Sequence, residues 1–544
     1  MNERIEKIHY DWLTCPTGDP FADAGGYALN EFSKRFPNDD ILQLIERVTD
    51  IYVDRWNAGL HMFFLNSTIT QGQFDSQQKK EETRKYYKSL INEESDSVKG
   101  FCRILGKYTV LFKAGRDNSI LTGSSTFLNF HHNFEEGLYC SKEVIIRFFF
   151  APLACCLVSN QMALIISNKK NVSDLFFEEN VRKALSNTNF RFAPRSKYSN
   201  PANALFAFVN DSLAALDDED DEGCSLSLNH FSNFAAKPNI DIYNLPSRVF
   251  SFYSFCMNRK YRWQWECFVK AQYVKFYQYD SKYNVENQHY EEHTKEVYLL
   301  EKRLYDKLMS DQSLQLSLNQ FGVKKNKKEQ DCYIVEKAEF DNVKKNPAFK
   351  LWEESANNKS LLKNGVIKET GDYFLEYSFE NVRYKWKNLV YERLLLGVPI
   401  IQLILKWTDP SGFGQPLDYR IVKQYQIIIR NMNTKTLELI EKLSDYIIDN
   451  NDNISATISK IKVGNRGELR SFIIKQIEHN YKDENNTPLV TLREFVEYLF
   501  PEGTGWTEIR DLFLICIYQK LHEKNIKVDI AEQELLELNE ENNN

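Results

Sequence analysis

The sequence contains no G-x-x-x-x-G-K-[ST] phosphate loop, no G-x-S-x-G nucleophile elbow and no H-E-x-x-H zinc helix. Asp23-Ala24-Gly25-Gly26 lacks the Lys and the preceding strand that a phosphate loop needs. Histidine is scarce, nine in 544 residues, and His131-His132 is the single adjacent pair. Neighbouring side chains point to opposite faces of a strand and diverge on a helix, so this pair is poorly placed to share a metal. A global basic excess is missing too. The net charge is −7, so any nucleic-acid binding must come from local patches. Ten cysteines stand at scattered spacings, with Cys155 and Cys156 adjacent, which excludes a disulfide framework. Met1 to Tyr10 is charged and polar, without the apolar run of a secretory signal, and the expected compartment is a reducing cytoplasm. The most apolar stretch, Val144 to Ile166, contains Arg147, Pro152 and Ser159-Asn160-Gln161. A spanning helix wants about 20 mostly apolar residues. The stretch therefore predicts a buried helix or strand pair, and no membrane.

Two cysteine half-motifs stand out among what is present: Cys102-Arg103-Ile104-Leu105 and Cys140-Ser141-Lys142-Glu143. Each has the frame of a C-x-x-C zinc knuckle with the second thiol missing. A structural zinc takes four tetrahedral ligands, usually from two such pairs. Leu105 has no donor atom, and Glu143 offers only oxygen. A set of Cys102, Cys140, Glu143 and His131 or His132 would be unusual for structural zinc. The plainer reading is two free buried thiols.

With 544 residues, 42% of them hydrophobic and 14% aromatic, the chain can build several aromatic-rich cores. Asp19-Pro20 is a helix start, with Asp as N-cap and Pro at the first helical position. Phe21, Ala24, Ala28, Phe32 and Phe36 follow at helical spacing. Ile41 to Phe64 predicts a second helix or helix-strand unit, and Gln71 to Lys99 an exposed helix with flanking loops. Residues 101 to 170 read as mixed strand and helix. The acidic run Asp217 to Glu222 reads as a solvated insertion. Residues 322 to 363, Lys- and Asn-rich, predict a flexible connection. Beyond Asp372 the pattern turns helical. Leu437, Ile440, Leu443 and Ile447 form one stripe, and Trp506, Ile509, Phe513, Cys516, Ile517 and Leu521 another. The expected fold is α+β over residues 1 to 370, an antiparallel helical bundle over 371 to 530, and a disordered acidic tail over 531 to 544.

Local charge supplies the candidate nucleic-acid residues. Arg248 to Tyr283 holds seven Lys/Arg against two Asp/Glu, among thirteen aromatics. Such a mixture suits stacking on bases and tracking of phosphates, with Arg259, Lys260 and Arg262 as its cluster. It equally suits an aromatic core with a solvated basic face. Arg383 to Lys475 holds fifteen Lys/Arg against nine Asp/Glu, including Lys460, Arg466 and Arg470. Arg195 and Lys197 lie in a loop-like stretch. Gln71 in the polar loop Asn66 to Gln73, with Lys79, Lys80 and Arg84 beside it, could meet a groove and its phosphates.

Thr14-Cys15-Pro16-Thr17-Gly18-Asp19-Pro20-Phe21-Ala22-Asp23-Ala24-Gly25-Gly26 resembles a T-G-x-P-x-x-D-A-G signature. Trp506-Thr507-Glu508-Ile509-Arg510-Asp511-Leu512-Phe513-Leu514-Ile515 resembles a W-x-x-[IV]-R-D-L-L-L-I block. With the two C-x-x-C frames between them, these blocks resemble the CXXC-CXXC family of CRISPR-associated proteins, large subunits of the type I-B Cascade complex. The resemblance departs at Leu105 and Glu143, where family members often carry Cys. It implies a non-catalytic role without cofactors: protospacer-adjacent motif (PAM) recognition, strand opening and recruitment of the helicase-nuclease in antiviral defence. The implied partners are other Cascade subunits, guide RNA, target double-stranded DNA and the helicase-nuclease. It also implies that Met432, the only methionine beyond Met309, can start a separate small subunit. The alternative from the residues alone is a cytoplasmic metal-binding protein or enzyme using Cys140 and His131-His132.

Overall fold

The computed structural model describes residues 6–56, 59–121, 138–186, 193–213, 223–232, 239–279, 292–310, 314, 318–325, 331–354, 375–415, 417–451, 453–482, 488–500 and 505–526. It has an α/β N-terminal region with antiparallel sheets and a C-terminal run of helices. His131, His132, the run Asp217 to Glu222 and the tail 531–544 lie outside the described residues. Two compact units are present. The first comprises Met1–Ser196, Ala204–Gln272 and Leu389–Asn544; the second comprises Lys197–Asn203 and Tyr273–Asn388.

In the first unit, α1 (Pro20–Arg35) starts where Asp19 caps it, the carboxylate accepting from the Ala22 amide at 2.7 Å. A capping box of Asp40 and Gln43 opens α2 (Ile41–Arg55), and one of Asp75 and Gln78 opens α3 (Ser76–Asn92). Strands β1 (Ser97–Phe101), β2 (Tyr108–Ala114) and β3 (Leu138–Cys140) form an antiparallel sheet. The apolar stretch then becomes α4 (Lys142–Phe150), a short turn, and the strand pair β4 (Cys156–Val158) and β5 (Gln161–Ser167). Every residue of α4 is buried, which accounts for its apolar sequence without a membrane. Among the described residues no helix is long and apolar enough to cross a membrane. After α5 (Lys170–Ser186), strands β6 (Leu226–Ser232) and β7 (Asn239–Leu245) extend β4 and β5 into a four-stranded antiparallel sheet.

The C-terminal helices of this unit gather around Trp506–Glu523. Helices Ile401–Thr408, Thr434–Asp449, Ile454–Val463 and Arg466–Lys482 all pack on it. Its residues from Asp511 to Gln519 are buried without a break, so it is enclosed on all sides rather than along one stripe. The stripe Leu437, Ile440, Leu443 and Ile447 is fully buried, as its spacing predicts.

The second unit corrects two expectations. Residues 322 to 363 are not a loop throughout. They contain the end of β10 (Gln320–Lys325), then β11 (Asp331–Glu336) and helices Lys337–Lys345 and Pro347–Glu354. Cys332, Ile334, Val335, Phe340 and Phe349 are buried and anchor this Lys-rich run. The helical region begins at Leu389, not near Asp372, because Leu375–Asn388 is a strand, β12. With β8 (Tyr273–Tyr279) and β9 (Glu292–Glu301) it completes a five-stranded antiparallel sheet in the order β10-β11-β9-β12-β8. The alternation Val382-Arg383-Tyr384-Lys385-Trp386-Lys387 carries the period-2 signal of that strand.

Candidate functional site

The T-G-x-P-x-x-D-A-G block is built around one arginine. Arg147, on α4, has no solvent exposure. Its Nε donates to the Ala22 carbonyl at 2.7 Å. One terminal nitrogen donates to the carbonyls of Cys15 at 2.7 Å and Trp12 at 3.2 Å, and the other to Asp23 Oδ1 at 2.8 Å. Asp23 in turn accepts from the Thr17 amide, the Thr17 hydroxyl and the Gly18 amide. Gly25 lets α1 and α4 touch, since a Cβ there would lie 1.8 Å from the Arg147 carbonyl oxygen. Burial pushes the guanidinium pKa down and Asp23 opposes that shift. Thr17, Gly18, Asp23 and Gly25 of the block thus all serve the buried charge.

The structure brings the two cysteine half-motifs together. Cys102 closes a turn after β1, its amide donating to the Lys107 carbonyl and its carbonyl accepting from Gly106. Cys140 ends β3. Cys102 Sγ accepts from the Ser141 amide at 3.4 Å, and the Cys140 thiol and the Leu105 and Ile104 amides lie close enough to bear on it. The Cys140 hydrogen bond and those amides outweigh burial and push the Cys102 thiol down to about 5. Cys140 is pushed up by the same bond and by burial. Among the described residues, two sulfurs meet at this knuckle. Leu105 supplies no donor atom, and Glu143 is buried with Oε1 accepting from the His9 amide at 3.2 Å and Oε2 without a partner. No group of three His, Cys, Asp or Glu that could hold a metal ion occurs among the described residues. The described residues do not supply the four ligands of a structural zinc.

Two of the three cations expected near Gln71 are engaged. Lys80 pairs with Asp50 at 2.8 Å and Asp54 at 2.9 Å, and Arg84 with Glu46, so both fasten α3 to α2. Asn66 to Gln73 is not an open polar loop: Thr68–Thr70 forms a 3-10 turn with Ile69 and Thr70 buried. Gln71 reaches back to the Asn66 carbonyl at 3.5 Å. Lys79 is half-buried and bears on His61. Arg195 is exposed in a segment bridged to Leu157, and Lys197 is exposed with its ammonium 5.4 Å from the Tyr198 ring. Lys460, Arg466 and Arg470 are exposed, and Arg470 lies over the Phe495 and Phe500 rings.

Most of the Arg248 to Tyr283 aromatics that are described form core: Phe250, Phe252, Tyr253, Trp265 and Phe268 are buried. One corner is different. Arg259, Lys260 and Arg262 are exposed at the turn between helices Ser247–Met257 and Arg262–Ala271, and Trp263 beside them is 71% exposed. Arg420 joins this corner. Its guanidinium lies 5.5 Å from the Tyr261 ring, Lys260 lies 5.7 Å from the same ring, and the Asp418 amide donates to Gln264 at 2.7 Å. Arg262 pairs with Glu266 and Arg420 with Asp418. Sequence reading passed over Arg420 because it lies far along the chain in an ordinary charged helix. No known protein family, curated protein or solved structure matches the chain.

Proposed function

We propose that the protein is a cytoplasmic, non-catalytic nucleic-acid-binding subunit of an RNA-guided surveillance complex, the large subunit of a type I-B Cascade. The observation that carries this reading is the Arg259–Lys260–Arg262–Trp263 corner, where an exposed indole adjoins exposed cations in the chain. An indole face stacks on an unpaired base while the cations follow the phosphates. The resemblance of the two terminal blocks supports it, since both are structural centres of the fold: one holds Arg147 and the other is the enclosed helix Trp506–Glu523. In this reading the chain supports PAM recognition and strand opening, and it offers a surface to the helicase-nuclease. Base pairing with the guide supplies the sequence specificity.

Co-expression with the neighbouring genes and a CRISPR array tests this. The chain is expected to copurify with guide RNA and backbone subunits. Recovery of the chain alone and free of RNA would show the reading to be wrong.

A further inference from the structure

An open groove runs between α1 and α5 and holds two cavities, of about 350 and 380 Å³. Each is of the size that takes a small ligand. The walls of the first include Pro16, Pro20, Tyr27 and Phe177, with Gly26 and the buried Arg147 behind. The Tyr27 and Phe177 rings touch, with centroids 5.6 Å apart, and form an apolar wall. Asn30 lines the same cavity. Neither the Tyr27 hydroxyl nor the Asn30 side-chain amide has a hydrogen-bond partner among the described residues.

The second cavity shares the α1 and α5 faces one turn further on, and its lining includes Lys34, Arg35 and Arg182. Lys34 is taken up by Glu31 at 2.7 Å. Arg35 and Arg182 are exposed and make no ion pair among the described residues. Along the groove Asp23 is neutralised by Arg147 and Asp174 by Lys170, which leaves these two arginines against Glu178. One helical turn, about 6 Å of axis, separates Asn30 from Lys34. A flat group at Tyr27 and Asn30 therefore has an anion site one turn away.

We propose that the α1–α5 groove seats single-stranded nucleic acid, with one amine-bearing base against Tyr27 and Asn30 and the adjoining phosphate at Arg35 and Arg182. A side-chain amide offers a donor and an acceptor together, which matches the ring-nitrogen and amine edge of adenine. The proposal deepens the nucleic-acid reading above and rests on it.

The test uses the full chain and short fluorescent strands, each made as DNA and as RNA. One strand bears a single adenine on an otherwise abasic backbone, and its control is fully abasic. The adenine strand is expected to bind roughly tenfold tighter, the effect of one stacked base. The DNA and RNA arms identify which strand the groove serves. Tyr27→Leu and Asn30→Ala should each reduce that advantage while leaving abasic binding unchanged. Arg35→Ala and Arg182→Ala should weaken both strands and lower the salt slope by about 0.7 each. Thermal melting of each variant separates lost binding from lost folding. Equal affinity for the two strands, an adenine advantage that survives both Tyr27→Leu and Asn30→Ala, or no binding of either strand would overturn the groove proposal. Copurification with guide RNA decides the broader reading independently.

Discussion

Arg147 and Asp23 are the fixed pair of the N-terminal fold: the guanidinium donates to Asp23 Oδ1 at 2.8 Å, and that same oxygen accepts from the Thr17 amide and hydroxyl. The arginine is wholly buried while the carboxylate is 31% exposed, so the pair is a buried cation held by a partly wet anion and three carbonyls. Asp23→Ala leaves the guanidinium buried with its carbonyl partners alone. Breaking one side of a buried pair costs about 3–5 kcal/mol. Chemical denaturation should show a loss near the lower end of that range, because Asp23 retains some water. Gly25→Ala should be at least as damaging, since the Cβ would meet the Arg147 carbonyl oxygen and force α1 and α4 apart.

Cys102 should carry a thiolate at neutral pH. Its folded pKa is depressed to about 5 from an ordinary value of 9.0. A depressed acid adds stability that is fully present above the unfolded pKa and is lost as pH falls through the folded one. Its contribution should therefore decline between pH 9 and pH 5. Ultraviolet thiolate absorbance should fall with a midpoint near 5 in the native chain and vanish in Cys102→Ser. A midpoint near the ordinary thiol value would show that the Cys140 hydrogen bond and the amide cradle do not form.

Purified protein is expected to contain zinc well below one atom per chain. Chelator treatment should leave its melting temperature unchanged, because among the described residues two sulfur donors and no further ligand meet at the knuckle. Metal analysis of the native chain, repeated on Cys102→Ala, checks this. Stoichiometric zinc that disappears in the variant would contradict the two-sulfur site.

Single-strand binding should depend on the Trp263 corner more than on α3. Trp263→Ala is expected to cost about 1–3 kcal/mol of affinity, the worth of one stacked base. Lys80→Ala and Arg84→Ala should change affinity little, since both cations are committed to carboxylates of α2. Titrations at two salt concentrations separate these effects. A larger loss from Lys80→Ala than from Trp263→Ala would move the interface to α3.

Helix Trp506–Glu523 should be intolerant of truncation around its whole circumference. Leu514→Ala, outside the single stripe read from spacing, is expected to cost about 2–5 kcal/mol, as for any core leucine. Thermal or chemical melting checks it, and a cost under half of the lower figure would mean that this face is not enclosed.

Much of the local architecture was legible in the sequence. Asp19-Pro20 marked the start of α1, and the stripe from Leu437 to Ile447 marked a buried helical face. The apolar run from Val144 to Ile166 was rightly read as interior. The Lys-rich residues from 322 to 363 were misread because their polar composition hides a few well-spaced anchors, Ile334, Phe340 and Phe349 among them. β12 was missed because its alternation adjoins a long helical region and was absorbed into it.

The candidate site was less legible, for a physical reason. Caps, turns and periodic stripes depend on residues a few positions apart, so the sequence by itself determined where α1 begins and that Leu437, Ile440, Leu443 and Ile447 form a buried face. It also determined that Leu105 offers a metal no ligand. Only the tertiary structure decided which charges are already spent. Lys80 and Arg84 look like free cations until α2 lays Asp50, Asp54 and Glu46 beside them. Packing alone placed Cys140 against Cys102, Arg420 beside Tyr261, and Arg35 across a groove from Arg182. Such pairings join residues far apart in the chain, and their energies depend on burial and geometry that no local pattern encodes.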